Sequence, residues 1–301
     1  MVVELEYDYN EATAAMDKFS QADINELQQW TQKLDKSKYV PKDLTDKQMV
    51  LFYNACYGDM DKTKACIEKY YSCRKNAPEL FDNRVLRTEE LKQAADVLEF
   101  SVLPGKSCQG YDIIYHRLHE TEPSKYNLES GCKLLFMTVD LCLTKRGPQP
   151  GYMFLFDMRG VKFGHLTRVS LSTLRKFFQY VQEAMPVRMR AIHVLNTEPV
   201  LDKLMLLIRP FMDKKFFDML KFHNKNEDMD KFYETVVPRS VLPPDYGGTL
   251  PDTQTLHKKC IQQLQLLEPY FKVEEEQRIT ALPDKKREKA MERAFKNLDI
   301  D

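Results

Sequence analysis

Residues 151–196 read GYMFLFDMRGVKFGHLTRVSLSTLRKFFQYVQEAMPVRMRAIHVLN, and the change of period inside this stretch decides the fold. Gly151–Met158 is a short aromatic and aliphatic run behind a glycine, the composition of a buried strand. From Leu171 the spacing changes. Leu171, Leu174, Phe178, Val181 and Met185 recur at three- and four-residue intervals, so they form one stripe of a helix that stops at Pro186. Arg190–Asn196 (RAIHVLN) returns to strand composition. Strand, helix and strand in this order imply a crossover connection and parallel neighbours. Upstream, Gly110–Leu118 (GYDIIYHRL) and a helical pattern over 128–144 repeat the unit. A weaker fourth strand is expected over 220–223. The expected fold class is therefore α/β with a mostly parallel sheet.

The first hundred residues have a different character. Asp23–Leu34 places Ile24, Leu27 and Trp30 at helical spacing. Thr45 is an expected N-cap for a segment containing Met49, Val50, Phe52 and Tyr53, and Asp61 for one containing Ala65, Ile67, Tyr70 and Tyr71 that ends at Pro78. We expect a helical unit over 1–95, an α/β unit over 96–255 and a charged helical tail over 256–301. The tail mixes acidic and basic residues, which predicts a solvated face. Val200–Met212 stands apart: Leu204-Met-Leu-Leu-Ile208 is apolar on every side of a helix, which fits either a fully buried core helix or a lid over a pocket.

Forty-five basic residues balance forty-five acidic ones in a chain of 301. A dedicated nucleic-acid binder needs a broad positive field, so that class is excluded. No apolar run is long enough to span a bilayer, and the acidic N-terminus lacks the apolar core of a secretory signal. Seven cysteines without a CxxC pair fit reduced thiols and a cytoplasmic setting.

Enzyme signatures fail on their geometry. There is no GxSxG elbow and no GxGxxG after a strand. Gly105-Lys106-Ser107 imitates the end of a phosphate loop, but Phe100 stands where its first glycine is required. His116 and His119, three apart on a strand, face opposite ways and make a poor metal pair. His165, His193, His223 and His257 show no ligand spacing. Asp157 ends a strand, where ligands gather in doubly wound folds, but a role in the strand-to-loop turn suits it better. No metal and no cofactor are expected. What remains is a potential apolar pocket: Tyr152, Phe154 and Phe156 share one side of a strand, and Phe177, Tyr180 and Val181 lie on the helix after it.

Longer motifs then bear on function. Pro186–Asn196 (PVRMRAIHVLN), Ile208-Arg-Pro-Phe211, His223 and Leu242–Gly248 (LPPDYGG) occur in the order seen in CRAL-TRIO proteins. Tyr70–Glu79 (YYSCRKNAPE) resembles the helical region that precedes the lipid domain there. The likeness covers about residues 20–255 and is strongest to the branch of the α-tocopherol transfer and cellular retinaldehyde-binding proteins. It also resembles the expanded insect branch.

The resemblance implies a non-enzymatic, monomeric carrier of a retinoid, tocopherol, carotenoid or similar isoprenoid, with transient peripheral membrane contact. A phosphoinositide-responsive adaptor or a phospholipid-transfer protein is the alternative. It implies a gate over Glu198–Met212 and a pocket lined by Leu134, Thr138, Tyr152, Phe154, Phe156, Phe177, Tyr180, Val181, Met185, Val187, Met189 and Ile192. Leu204, Ile208 and Phe211 would line it from the gate, and Thr138 and Tyr180 would be its polar handles. Arg188, Arg190, Arg209, Lys214 and Lys215 would meet phosphoinositide headgroups. The match to that basic patch is incomplete, because further basic positions fall on Met219, Leu51, Asn54 and Cys56.

Overall fold

Helices start where side chains satisfy the free amides of their first turns. The computed structural model describes residues 2–283 and 287. After α1 (Tyr9–Ala14), the Ser20 hydroxyl accepts from the Asp23 amide and starts α2 (Gln21–Lys33). Thr45 and Gln48 form a reciprocal capping box at α3 (Asp46–Ala55). Asp59, not Asp61, caps α4 (Met60–Asn76); Asp61 lies in the first turn, where its charge suits the helix dipole. Pro78 opens α5 (Pro78–Phe81), and α6 (Glu89–Val97) leads into the sheet.

The strands are β1 (Leu98–Lys106), β2 (Asp112–Leu118), β3 (Tyr152–Asp157), β4 (Met189–Thr197) and β5 (Leu220–Asn224). They lie side by side in chain order. The first pair is antiparallel and the other three are parallel. Helix α7 (Leu128–Arg146) joins β2 to β3, and α8 (Phe163–Leu166) and α9 (Leu171–Glu183) join β3 to β4. Helices α10 (Val200–Ile208) and α11 (Lys214–Asp218) join β4 to β5, and α12 (Asp230–Thr235), α13 (Thr253–Leu266) and α14 (Glu268–Thr280) follow.

Strand β1 had no clear strand signal because its polar residues point inward. Glu99 and Ser101 are buried, and the ladder shifts register between Val102 and Lys106, around Pro104-Gly105. A Cβ on Gly105 would approach Val241 Cγ1 to 2.0 Å, so this glycine serves close packing at the end of a strand.

Each face of the sheet has its own core. Ile113, Tyr115, Met153, Leu155 and Leu195 pack with Phe232, Val237, Leu242 and Tyr246. Ile114, Phe154, Ile192 and Val194 belong to the larger core, which takes in the N-terminal helices, α7, α9 and Phe271 of α14.

That last contact corrects the expected solvated face of the C-terminal segment. Phe271, Glu274, Gln277 and Arg278 are buried. Glu274 meets Arg278 Nε at 2.8 Å, Arg74 Nη1 at 3.1 Å and Arg84. Asp140 of α7 holds Arg74 Nη2 at 2.7 Å and Arg84 Nη1 at 2.7 Å. The mixed charges of α14 thus meet interior partners contributed by α4 (Arg74) and by the segment after α5 (Asp82 and Arg84), and Asp140 of α7 shares the two arginines. Much of the C-terminal part of the expected tail lies outside the described residues.

Candidate functional site

Between the larger-core face of the sheet and its covering helices lies an apolar cavity of about 300 Å³. Phe154, Phe156, Ile192 and Val194 form its floor. Leu135, Phe136 and Val139 of α7 and Phe177, Phe178 and Val181 of α9 form its walls, and Leu201, Leu204, Met205 and Ile208 of α10 close it. No residue of α10 is fully buried, and Leu206 is 79% exposed. This excludes a core helix covered on all sides and leaves a helix with an apolar face on the cavity and Asp202, Lys203 and Leu206 on solvent.

The structure gathers Phe154, Phe156, Phe177, Val181, Met185, Met189, Ile192, Leu204 and Ile208 around the cavity, and leaves six expected residues outside it. Leu134 and Thr138 share the neighbouring face of α7, where the Thr138 hydroxyl donates to the Leu134 carbonyl at 2.9 Å. Tyr152 is on the same side of β3 as Phe154 but sits at the strand's start, beyond the end of the cavity. Tyr180 turns away, its hydroxyl accepting from Arg74 Nη2 at 2.8 Å. Phe211 stacks on Phe178, with ring centroids 6.4 Å apart, and Val187 is half-buried outside the lining. Neither expected polar handle faces the cavity. Sequence reading missed Phe100, His116, Tyr126, Cys132 and His165 in the wall. The two histidines stood out as isolated residues, but nothing in their spacing joined them.

The other candidates find local partners. Asp157 accepts from Tyr246 Oη, from Asn196 Nδ2 at 2.9 Å and from Arg159 Nε at 2.7 Å, which pins the turn after β3. His193 and His223 stack on the far face against Phe232; burial lowers His193 to about 4. His119 Nδ1 lies 3.2 Å from Glu99 Oε1. Among the described residues, no group of three or more His, Cys, Asp or Glu side chains is arranged to hold a metal ion. Likewise, no described helix is long and apolar enough to cross a membrane.

The expected basic patch is only partly open. Arg188 is buried, its Nη1 2.9 Å from Asp17 and its Nε donating to the Asn54 carbonyl at 2.7 Å. Arg190 is half-exposed and donates to the Pro150 carbonyl. Arg209 folds over the Phe217 ring and donates to the Met212 carbonyl at 3.0 Å. Lys214 and Lys215 are exposed.

A lidded apolar cavity on a five-stranded sheet agrees with comparison to known proteins. The family described as "CRAL/TRIO domain" matches residues 98–248, half of the chain. The chain belongs to the CRAL/TRIO family. Residues 17–91 match the description "Pinta-like, UBA domain". The human "Alpha-tocopherol transfer protein-like" is 27% identical over 213 residues, 70% of this chain and 61% of the relative. Human "Clavesin-2" is 24% identical over 131 residues, 43% of this chain and 39% of the relative. The chain thus spans less than two thirds of these relatives' lengths. The crystal structure of Sfh5 superposes with a TM-score of 0.46 at 14% identity, covering 83% of this chain and 99% of that one. CRAL/TRIO proteins bind and transfer lipids and are not enzymes.

Proposed function

We propose that this CRAL/TRIO protein carries one hydrophobic lipid of the isoprenoid type through the cytoplasm. The cavity closed by a half-exposed apolar helix is the observation behind this reading. A long apolar ligand gains about 0.8 kcal/mol for each methylene taken from water, and the aromatic and aliphatic walls supply the complement. Closure of α10 hides the ligand, while opening at a bilayer gives it an apolar route in and out.

The outer side of the gate suits that step. Leu206 projects from α10, and Phe163 of α8 is 58% exposed. Lys203 lies over the Phe163 ring, 4.8 Å from its centroid. Aromatic and aliphatic side chains beside a lysine fit the boundary between acyl chains and headgroups. Lys214 and Lys215 are the exposed side chains left to meet a phosphoinositide, since Arg188 is committed to Asp17 and Asn54, Arg190 to the Pro150 carbonyl and Arg209 to the Met212 carbonyl.

The test is lipid transfer between vesicles by Leu206→Asp combined with Phe163→Asp. Loss of about 1.5 kcal/mol of interfacial burial slows transfer about tenfold while lipid affinity in solution stays unchanged. Unaltered transfer contradicts docking through this face. A partner captured only by the loaded protein, with no transfer, points instead to the adaptor reading.

A further inference from the structure

Within a mostly apolar lining, two imidazoles offer hydrogen-bonding atoms to the cavity, beside the Tyr126 phenol and the Asp157 carboxylate. His165 of α8 is 4% exposed. Its Nδ1 accepts the Lys162 backbone N–H at 2.9 Å, which leaves the ring proton on Nε2. That N–H has no partner among the described residues. The contact of Nδ1 with the Lys162 carbonyl at 3.3 Å is longer and does not change this, because the amide hydrogen already occupies the Nδ1 lone pair.

His116 of β2 has the opposite arrangement. Its Nδ1 lies 3.2 Å from the Glu99 carbonyl, which can only accept, so Nδ1 carries the proton and Nε2 keeps a lone pair. Phe100 stacks on the ring at 4.3 Å and Phe156 meets it edge-on at 5.6 Å. Burial holds His116 at about 4 and lowers His165, so both rings are neutral near pH 7. Asp157, also in the wall, has its carboxylate committed to Tyr246, Asn196 and Arg159.

We infer that His165 and His116 form the polar end of the cavity, a donor and an acceptor that select an apolar lipid ending in a hydroxyl or carbonyl oxygen. A buried N–H without a partner is disfavoured, so a ligand oxygen that accepts from His165 is favoured over a hydrocarbon of the same shape. An alcohol also donates to His116; an aldehyde engages His165 alone. The inference rests on the carrier reading, because it specifies what that cavity accepts.

The test compares retinol, retinaldehyde and the hydrocarbon analogue lacking the oxygen, each titrated into the full-length protein. Retinol is expected to bind about tenfold tighter than the hydrocarbon, a difference that His165→Phe narrows without weakening hydrocarbon binding. His116→Phe weakens retinol and leaves retinaldehyde unchanged. In the unsubstituted protein, where folding of a variant is not at issue, the carbonyl stretch of bound retinaldehyde falls below its value in hexane. Equal affinity for alcohol and hydrocarbon, with an unshifted carbonyl stretch, overturns the polar-end assignment and leaves the carrier reading intact. Failure of all three probes to bind overturns the carrier reading and this inference with it.

Discussion

Replacement of Glu274 by alanine is expected to lower the melting temperature by about 10 °C, from loss of roughly 3–5 kcal/mol when a buried ion-pair partner is removed. The physical cause is specific to this cluster. Arg74, Arg84 and Arg278 converge on Glu274 in the interior, and among the described residues only Asp140 remains ion-paired with Arg74 and Arg84 once it is gone. Desolvation opposes the ionised carboxylate, but the surrounding guanidiniums outweigh it and hold Glu274 at about 2, below the usual 4.5. A depressed carboxylate pKa stabilises the fold fully above the unfolded value and loses that contribution as pH falls toward the folded value. The native protein should therefore weaken between about pH 4.5 and pH 2 more steeply than Glu274→Ala does. Calorimetry across that range checks both parts, and a variant that melts with the native protein removes the cluster from the account. The cluster also bears on the cavity. Arg74 grips Tyr180 of α9, so the helix that supplies Phe177 and Val181 is anchored from behind.

Filling the cavity should do the reverse, removing function while sparing stability. Val139 of α7 and Val181 of α9 both line the void. Changing both to phenylalanine puts two rings where the ligand would lie. If this displaces about four methylenes of cargo, the loss is about 3 kcal/mol, or about a hundredfold in affinity. The melting temperature should hold or rise, because apolar atoms enter existing empty space instead of an already close-packed core. Titration with a fluorescent retinoid alongside a thermal melt separates the two effects. Undiminished binding by the filled variant would place the lipid elsewhere.

The fold was legible wherever one period ruled a segment. The stripe of Leu171, Leu174, Phe178 and Val181 marked α9, and the aromatic runs marked β2 to β4. Strand β1 escaped because Glu99 and Ser101 are buried polar residues, and local composition does not show that Arg117 and His119 approach Glu99 from the next strand and the residue after it. The candidate site was read with an error of one helical position on α7. Every residue from Ser130 to Thr144 is buried, so no exposed face told the cavity side, Leu135 and Val139, from the neighbouring side, Leu134 and Thr138. Tyr180 and Arg188 were misread for a related reason. Each looked available by type, and each is occupied by a partner more than a hundred positions away, Arg74 for one and Asn54 for the other. The same distance effect concealed the interior role of α14.

The most direct measurement is the mass of the intact protein in the gas phase after incubation with a tissue lipid extract, followed by identification of the released molecule. The account predicts a single apolar species with one oxygenated end, at near one per chain, and none on the Val139→Phe, Val181→Phe variant. A protein that stays empty, or a cargo retained equally by the filled variant, would contradict a lipid held beneath α10.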